Sequence, residues 1–204
     1  MDARTGASMV RDESHYEVFE WLGEGLSPSP PAYLRLLGPG GGGRGDHLLA
    51  NLATVAGRLR ERPGYWGELI RARNWRPTLV GCSAALLARD LRFLDDLLDR
   101  FKRGSWVAPQ LAVALGLLHP AEAAVELEGV MRQQSDSAGL KAVFSAYAVL
   151  KQMGSRATQE FEASDLFRQI QSERPGTSAP AYDWLVVVQV VHRQWDFWKE
   201  TKLP

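Results

Sequence analysis

The chain has 204 residues, of which 45% are hydrophobic, and its 24 basic and 24 acidic side chains give a formal net charge of zero. This length allows one domain, or one domain with an appendage, and the neutral charge supplies no global field that would favour nucleic acid or an anionic membrane. The single cysteine, Cys82, excludes an intrachain disulfide and favours a reducing, cytoplasmic location.

Residues 1–45 are predicted to form an N-terminal segment with a short helix and a flexible part. The short helix is expected over 14–22, one helical turn over 30–37, and a loop over 38–45. Many prolines and glycines exclude regular structure through most of 23–47, because glycine is entropically costly to order and proline removes a backbone donor. The N-terminus lacks the apolar core of a secretory signal.

From residue 46 to 204 the spacing of apolar residues predicts helices almost throughout. A helix is expected over 46–62, followed by a break at PGYW (63–66) and a short helix over 67–73. Pro77 is expected to open the next helix, since proline is favoured at a first helical position. Residues 78–88 are apolar nearly all round, so this helix must be covered on every side.

A period near 32 residues relates this helix to the chain that follows. Leu79, Leu111 and Val143 align at this spacing, as do Leu86, Leu118 and Leu150, and all six are predicted to be buried. Each apolar helix is followed by an amphipathic one, over 91–102, 121–133 and about 158–171. The period predicts an all-α protein of about three helical hairpins stacked as a short α-solenoid, because one hairpin cannot bury its own apolar face. No apolar run reaches the roughly 18 residues that a membrane span needs.

Tryptophans accompany this pattern. Trp75 and Trp106 recur at the unit starts and are interpreted as packing residues. The last segment, 179–202, is predicted to be a helix that caps the stack. On it, Trp195 and Trp198 are interpreted as packing residues, with exposure of one of them to a partner as the alternative.

The sequence resembles HEAT or armadillo-type α-solenoids over residues 46–172. The resemblance rests on the period, the proline of the first helices and the alternation of apolar and amphipathic helices. WRPTL (75–79) and WVAPQL (106–111) are also similar to small bacterial HEAT-like proteins, some of which neutralise toxins. The resemblance implies a protein that binds another macromolecule, although some such solenoids are enzyme subunits.

No catalytic residue, metal site or cofactor is predicted. The four histidines have no metal-ligand spacing, and Cys82 aligns with Ala114 and Ala146 at a tightly packed position. The glycine-rich stretch 38–46 is not followed by the Lys-Ser or Lys-Thr of a phosphate-binding loop.

Two charged groups of residues are the candidate binding sites, and the alternative for both is an ordinary solvated helix face. The first is an acidic series on the amphipathic helices, expected to face a basic protein such as a toxin nuclease: Asp95, Asp96, Asp99, Glu122, Glu126 and Asp165. The second, an alternative, is a cationic cluster: Arg58, Arg60, Arg62, Arg71, Arg73 and Arg76. The resemblance to HEAT-like proteins that neutralise toxins implies an immunity or antitoxin-type protein, and the first series would suit its basic partner. The second would suit a nucleic-acid-acting enzyme similar to DNA glycosylases, against which the neutral charge counts. A structural subunit of a larger assembly is the third possibility.

Overall fold

A computed structural model describes residues 16–22, 32–38, 45–132, 139–172 and 184–201, and the chain is all-α within these ranges. Two short 3₁₀ helices lie at Ala32–Leu37 and Leu91–Phe93. The α-helices are α1 (Glu17–Trp21), α2 (Gly45–Arg60), α3 (Pro63–Arg71), α4 (Trp75–Ala88), α5 (Leu94–Lys102), α6 (Ala108–Leu118), α7 (Pro120–Arg132), α8 (Leu140–Gln152), α9 (Ala157–Glu162), α10 (Asp165–Ser172) and α11 (Trp184–Glu200). The prediction of an all-α protein is confirmed for this part of the chain.

Three inner helices, α4, α6 and α8, form the centre of the molecule. The six leucine and valine positions predicted from the period are all buried on them. α6 packs between α4 and α8, while α3 packs on α4, α5 on α6, and α7 on both α6 and α8. The remaining surface of the inner helices is covered by α2 and the first 3₁₀ helix on α4, and by α11 on α6 and α8. The stacking of these pairs as equivalent repeats stays a prediction.

α4 begins two residues earlier than predicted, at Trp75 instead of Pro77. The side chain of Asn74 accepts a hydrogen bond from the backbone N–H of Arg76 over 2.9 Å, which satisfies one of the free donors of the first turn. At the other end Arg89 adopts a left-handed conformation with φ 51°, and its N–H donates to Leu86. Side-chain capping therefore sets where this helix begins.

Several other predicted boundaries are wrong by a few residues. PGYW does not break the chain but forms the first turn of α3, because Pro63 occupies a first-turn position where its missing N–H costs nothing. The helix predicted over 158–171 is divided into α9 and α10, because Ser164 Oγ accepts a hydrogen bond from Phe167 N and starts a new helix. Gly45, predicted as loop, begins α2, whereas 39–44 lie outside the described residues.

The amphipathic stripe predicted over 91–102 also needs a correction. Leu91, expected on its apolar face, is 60% exposed, whereas Leu97 and Phe101 are buried. Asp90 accepts a hydrogen bond from Arg92 N and starts a 3₁₀ turn before α5 begins at Leu94. That turn places Leu91 out of register with the buried face of α5.

The predicted short helix and helical turn near the N-terminus are both present, as α1 and the first 3₁₀ helix. Their buried side chains are Val18, Leu22 and Leu36, and they pack on α2 and α4 respectively. The C-terminal helix is present as α11, although 179–183 and 202 lie outside the described residues. The division of the chain at residue 45 stays a prediction.

Candidate binding surface

The predicted acidic residues lie on the outer helices and mostly at their N-terminal ends. Asp95 and Asp96 are in the first turn of α5, Glu122 in that of α7, and Asp165 in that of α10. Carboxylates are stabilising in this position, because the free N–H groups and the aligned peptide dipoles make the helix N-terminus positive. Helix stability therefore accounts for the placement of four of the six acids.

Ion pairs neutralise much of this series. Asp96 Oδ1 lies 2.5 Å from Arg71 Nη1 and joins α5 to α3, while Glu126 Oε2 lies 2.6 Å from Lys102 Nζ and joins α7 to α5. Two further acids pair within their own helix, Asp99 with Arg103 and Asp165 with Arg168. The predicted acidic series is therefore less negative than its carboxylates alone would make it, because cations of the same and adjacent helices alternate with them.

Two acids of the predicted series make no ion pair with a described residue. Asp95 and Glu122 are exposed, and neither makes an ion pair with a described residue. Val125 follows Glu122 by three positions on α7, which places the two side chains on one face, and it is 73% exposed. We define Asp95, Glu122, Val125 and the pair Lys102–Glu126 as the α5–α7 surface.

The arginine cluster is engaged in holding the N-terminal elements. The guanidinium of Arg62 lies 4.7 Å from the ring centroid of Tyr65, and it pairs with Glu17 of α1 at 2.7 Å. Further contacts join Arg58 and Arg62 to the ring of Trp21, Arg76 to Tyr33 and Trp75, Arg60 to the Ala88 carbonyl, and Arg71 to Asp96. Only the side chain of Arg73 has no such contact within the described ranges. The predicted cluster is therefore distributed over the contacts of α1, α3 and the first 3₁₀ helix.

The C-terminal tryptophans are packing residues. Trp195 and Trp198 are both buried, and Trp195 lies near Gly116 of α6. The indole of Trp198 donates to Gln194 Oε1 over 2.9 Å. The alternative that one of them stays exposed for a partner is wrong, because α11 turns this face towards α6 and α8.

Trp106 is exposed, although the sequence predicts a packing residue at this position. It was predicted to pack like Trp75, yet it is 63% exposed, with the ammonium of Lys141 4.8 Å from its ring centroid. Trp75 is instead half-buried against Tyr33, with ring centroids 5.8 Å apart. The dipeptide Gly104–Ser105 was the available signal, because Gly and Ser favour a turn, and Trp106 accordingly lies before α6 whereas Trp75 is the first residue of α4.

The polar side chains that most resemble a reactive site are Tyr147, Lys151 and Glu162. They line a cavity of about 460 Å³ between α8, α10 and α11. Glu162 accepts hydrogen bonds from Tyr147 and from Lys151, the latter over 2.6 Å. These bonds lower the pKa of Glu162, while burial, with the Glu162 bond, raises the pKa of Tyr147. Both pKa values move away from neutrality, which disfavours proton transfer by either group near pH 7.

Comparison of the chain with protein-family models, curated protein sequences and solved structures finds no match. Within the described residues, no three histidine, cysteine or acidic side chains are grouped so that they could hold a metal ion. None of the described helices has the length and apolar character to cross a membrane. Function is therefore inferred from the arrangement of the chain's own residues.

Proposed function

We propose that this chain is a non-enzymatic protein-binding module, a short HEAT- or armadillo-like stack of about three helical hairpins. In its most concrete form it is a cytoplasmic immunity or antitoxin-type protein that covers the active surface of one partner. Such a role needs shape and charge but no reacting group of its own.

The observation that carries the proposal is the α5–α7 surface. Nearly every side chain of α4 and α6 is buried, so these inner helices have no surface to offer. The outer helices instead present two carboxylates of the predicted series that make no ion pair with a described residue, Asp95 on α5 and Glu122 on α7, and Val125 is exposed one turn after Glu122. An apolar residue surrounded by charges is typical of a protein interface, in which apolar contacts give affinity and charges give specificity.

The unpaired acids favour a basic partner, such as a toxin nuclease. A carboxylate already bound to its own cation contributes little to a partner, whereas Asp95 and Glu122 remain free to attract one. Such attraction raises the association rate and weakens as salt screens it. Of the predicted acidic series, Asp95 and Glu122 are therefore the two residues that we expect to attract the partner.

The experiment reverses these two charges. A partner is captured from the native host with the tagged chain, and its association is measured for the parent and for Asp95→Lys/Glu122→Lys. We expect association to slow roughly tenfold at low salt, with an unchanged melting temperature. The matched control is Glu20→Lys/Glu200→Lys, which reverses two exposed acids on α1 and α11.

Two results would contradict the proposal. One is an association rate that is the same in both double variants and independent of salt. The other is turnover of a nucleic acid by the purified chain, which would favour the DNA glycosylase-like alternative. The arginine contacts described above lend that alternative no support, because Arg62 and Arg71 already pair with the carboxylates of Glu17 and Asp96 and are less available to phosphates. No specific observation among the described residues favours the third possibility, a structural subunit of a larger assembly.

A further inference from the structure

The backbone before α6 presents Trp106 to solvent. Gly104 follows α5 with φ 80°, a left-handed conformation that glycine adopts without strain. Ser105 Oγ then accepts a hydrogen bond from Val107 N over 3.3 Å, on the far side of Trp106. The Gly104 conformation and the Ser105–Val107 hydrogen bond therefore hold the turn so that the Trp106 indole lies in solvent. The next two residues, Val107 and Ala108, are buried.

Lys141, at the start of α8, is the cation beside this indole. Its side chain is half-buried, and burial lowers its pKa. It forms no ion pair with any described residue, and its ammonium has the ring of Trp106 as its neighbour. A half-buried ammonium without a carboxylate is costly to desolvate, and an anionic group brought next to it would remove that cost.

We propose that Trp106 and Lys141 form an anchor for an acidic segment of a protein partner. The indole packs against apolar side chains of this segment, and the ammonium pairs with a carboxylate that flanks them. Tryptophan is enriched among the interface residues whose truncation costs most, because its large ring is fully desolvated on binding. The inference rests on the proposed protein-binding function and adds the site and chemistry of one contact.

The charge at the anchor favours an acidic segment over a basic one. Lys102 and Arg103, at the C-terminal end of α5, already pair with Glu126 and Asp99, so Lys141 is the cation that has no carboxylate among the described residues. Asp95 lies in the first turn of the same helix, so the two ends of α5 carry opposite charge. A basic partner that meets Asp95 and Glu122 would therefore need acidic groups at the Trp106 end of the surface.

The test uses short acetylated peptides and the full chain labelled with 5-fluorotryptophan. One peptide has a Leu-Phe centre flanked by glutamates, the second has the same centre flanked by lysines, and the third has a Gly-Gly centre flanked by glutamates. Trp106→Phe identifies the Trp106 fluorine resonance by its disappearance. We expect a saturable shift of this resonance with the first peptide only.

Substitutions then test Lys141. Lys141→Met keeps the aliphatic stem but removes the charge, and we expect about tenfold weaker binding of the glutamate-flanked Leu-Phe peptide. Lys141→Arg should restore most of the affinity, and Lys199→Met, at an exposed lysine of α11, should leave it unchanged. Equal melting temperatures show that all variants are folded.

The inference is overturned by an unshifted Trp106 resonance, by equal shifts with the lysine-flanked peptide, or by unchanged affinity in Lys141→Met. A Trp106 shift that depends on protein concentration alone would indicate a second copy of the chain as the occupant, and also overturns it. If the captured partner responds to Asp95→Lys/Glu122→Lys but not to Trp106→Ala, the proposed function stands and the anchor fails. If the captured partner does not respond to Asp95→Lys/Glu122→Lys but the glutamate-flanked Leu-Phe peptide binds, the anchor stands and the proposed α5–α7 surface fails.

Discussion

Gln194 and Trp198, one turn apart on α11, share a buried hydrogen bond in which Trp198 Nε1 donates to Gln194 Oε1 over 2.9 Å. The amide nitrogen of the same Gln194 donates to the carbonyls of Leu36 and Leu37, over 2.8 and 3.0 Å. One side chain thus joins the C-terminal helix to the end of the first 3₁₀ helix. Gln110 of α6 donates to the Leu37 carbonyl as well, over 3.3 Å.

Replacing Gln194 should destabilise the fold strongly. Gln194→Leu keeps the approximate volume but leaves the Trp198 indole and the Leu36 carbonyl without their partners. Each buried unsatisfied group costs about 1–3 kcal/mol, so we expect the free energy of unfolding to fall by roughly 2–5 kcal/mol in urea titrations. Gln189→Leu, at an exposed glutamine of the same helix, is the control and should change it by less than about 0.5 kcal/mol. Equal losses in the two variants would contradict this account.

Gly116 marks the closest approach between α6 and its neighbours. A Cβ atom at this position would lie 2.6 Å from Val149 Cγ1 and 2.9 Å from Trp195 Cζ3, so Gly116→Ala must displace these two side chains. Overpacking of this kind typically costs about 1–3 kcal/mol, which thermal unfolding can measure. Gly129→Ala on α7 meets no atom within 4 Å and should instead stabilise its helix by roughly 0.5–1 kcal/mol. A stabilising Gly116→Ala would show that α6 is not tightly packed there.

The Glu162 cluster predicts a pH dependence with a definite sign. Hydrogen bonds from Lys151 and Tyr147 lower the pKa of Glu162 below 4.5 in the folded state. Its stabilising contribution is therefore complete above pH 4.5 and is lost as pH falls through the lowered pKa. Glu162 and Lys151 are partly exposed, with 35% and 53% of their side chains accessible, so solvent screening limits the effect to about 1 kcal/mol or less.

The measurement compares Glu162→Gln with the parent across this range. The difference in melting temperature should be present at pH 7 and should disappear well below pH 4.5. Glu160→Gln, at an exposed acid of the same helix without an ion pair to a described residue, should show no such dependence. A difference that persists at low pH would mean that Glu162 acts through packing and not through its charge.

Cys82 should be chemically inert in the folded protein. It is fully buried on α4, and burial raises the pKa of its thiol to about 12, so almost no thiolate exists at neutral pH. We expect no reaction with a disulfide reagent under native conditions and complete reaction in concentrated guanidinium. Labelling of the native chain at the rate of a small-molecule thiol would show that α4 opens readily.

The inner helices could be predicted because their pattern has one physical solution. A run such as 78–88, apolar on every side, must be covered on every side, and Leu79, Leu111 and Val143 are buried accordingly. The ends of the helices could not be predicted equally well. The side chains of Asn74 and Ser164 each accept one backbone hydrogen bond and so determine where α4 and α10 begin. The spacing of apolar residues gives no information about such single hydrogen bonds.

The charge of the surface depended on contacts between distant parts of the chain. Asp96 and Arg71 lie 25 positions apart in sequence and meet only because α3 packs on α5. A series of acids read from single helices therefore overestimates the negative charge that a partner would meet. Asp95 and Glu122 differ from the paired acids only in having no cation placed next to them by the fold.

The sequence by itself determined the all-α class and the buried faces of α4, α6 and α8, because burial of apolar side chains needs only their spacing along a helix. Tertiary structure alone decided which tryptophan meets solvent. Trp75 and Trp106 hold similar places in the sequence pattern, yet Trp75 begins α4 and is covered by the ring of Tyr33, whereas Trp106 lies before α6 and extends from the turn at Gly104. The exposure of a side chain depends on which distant segment returns to cover it, and local periodicity does not contain that information.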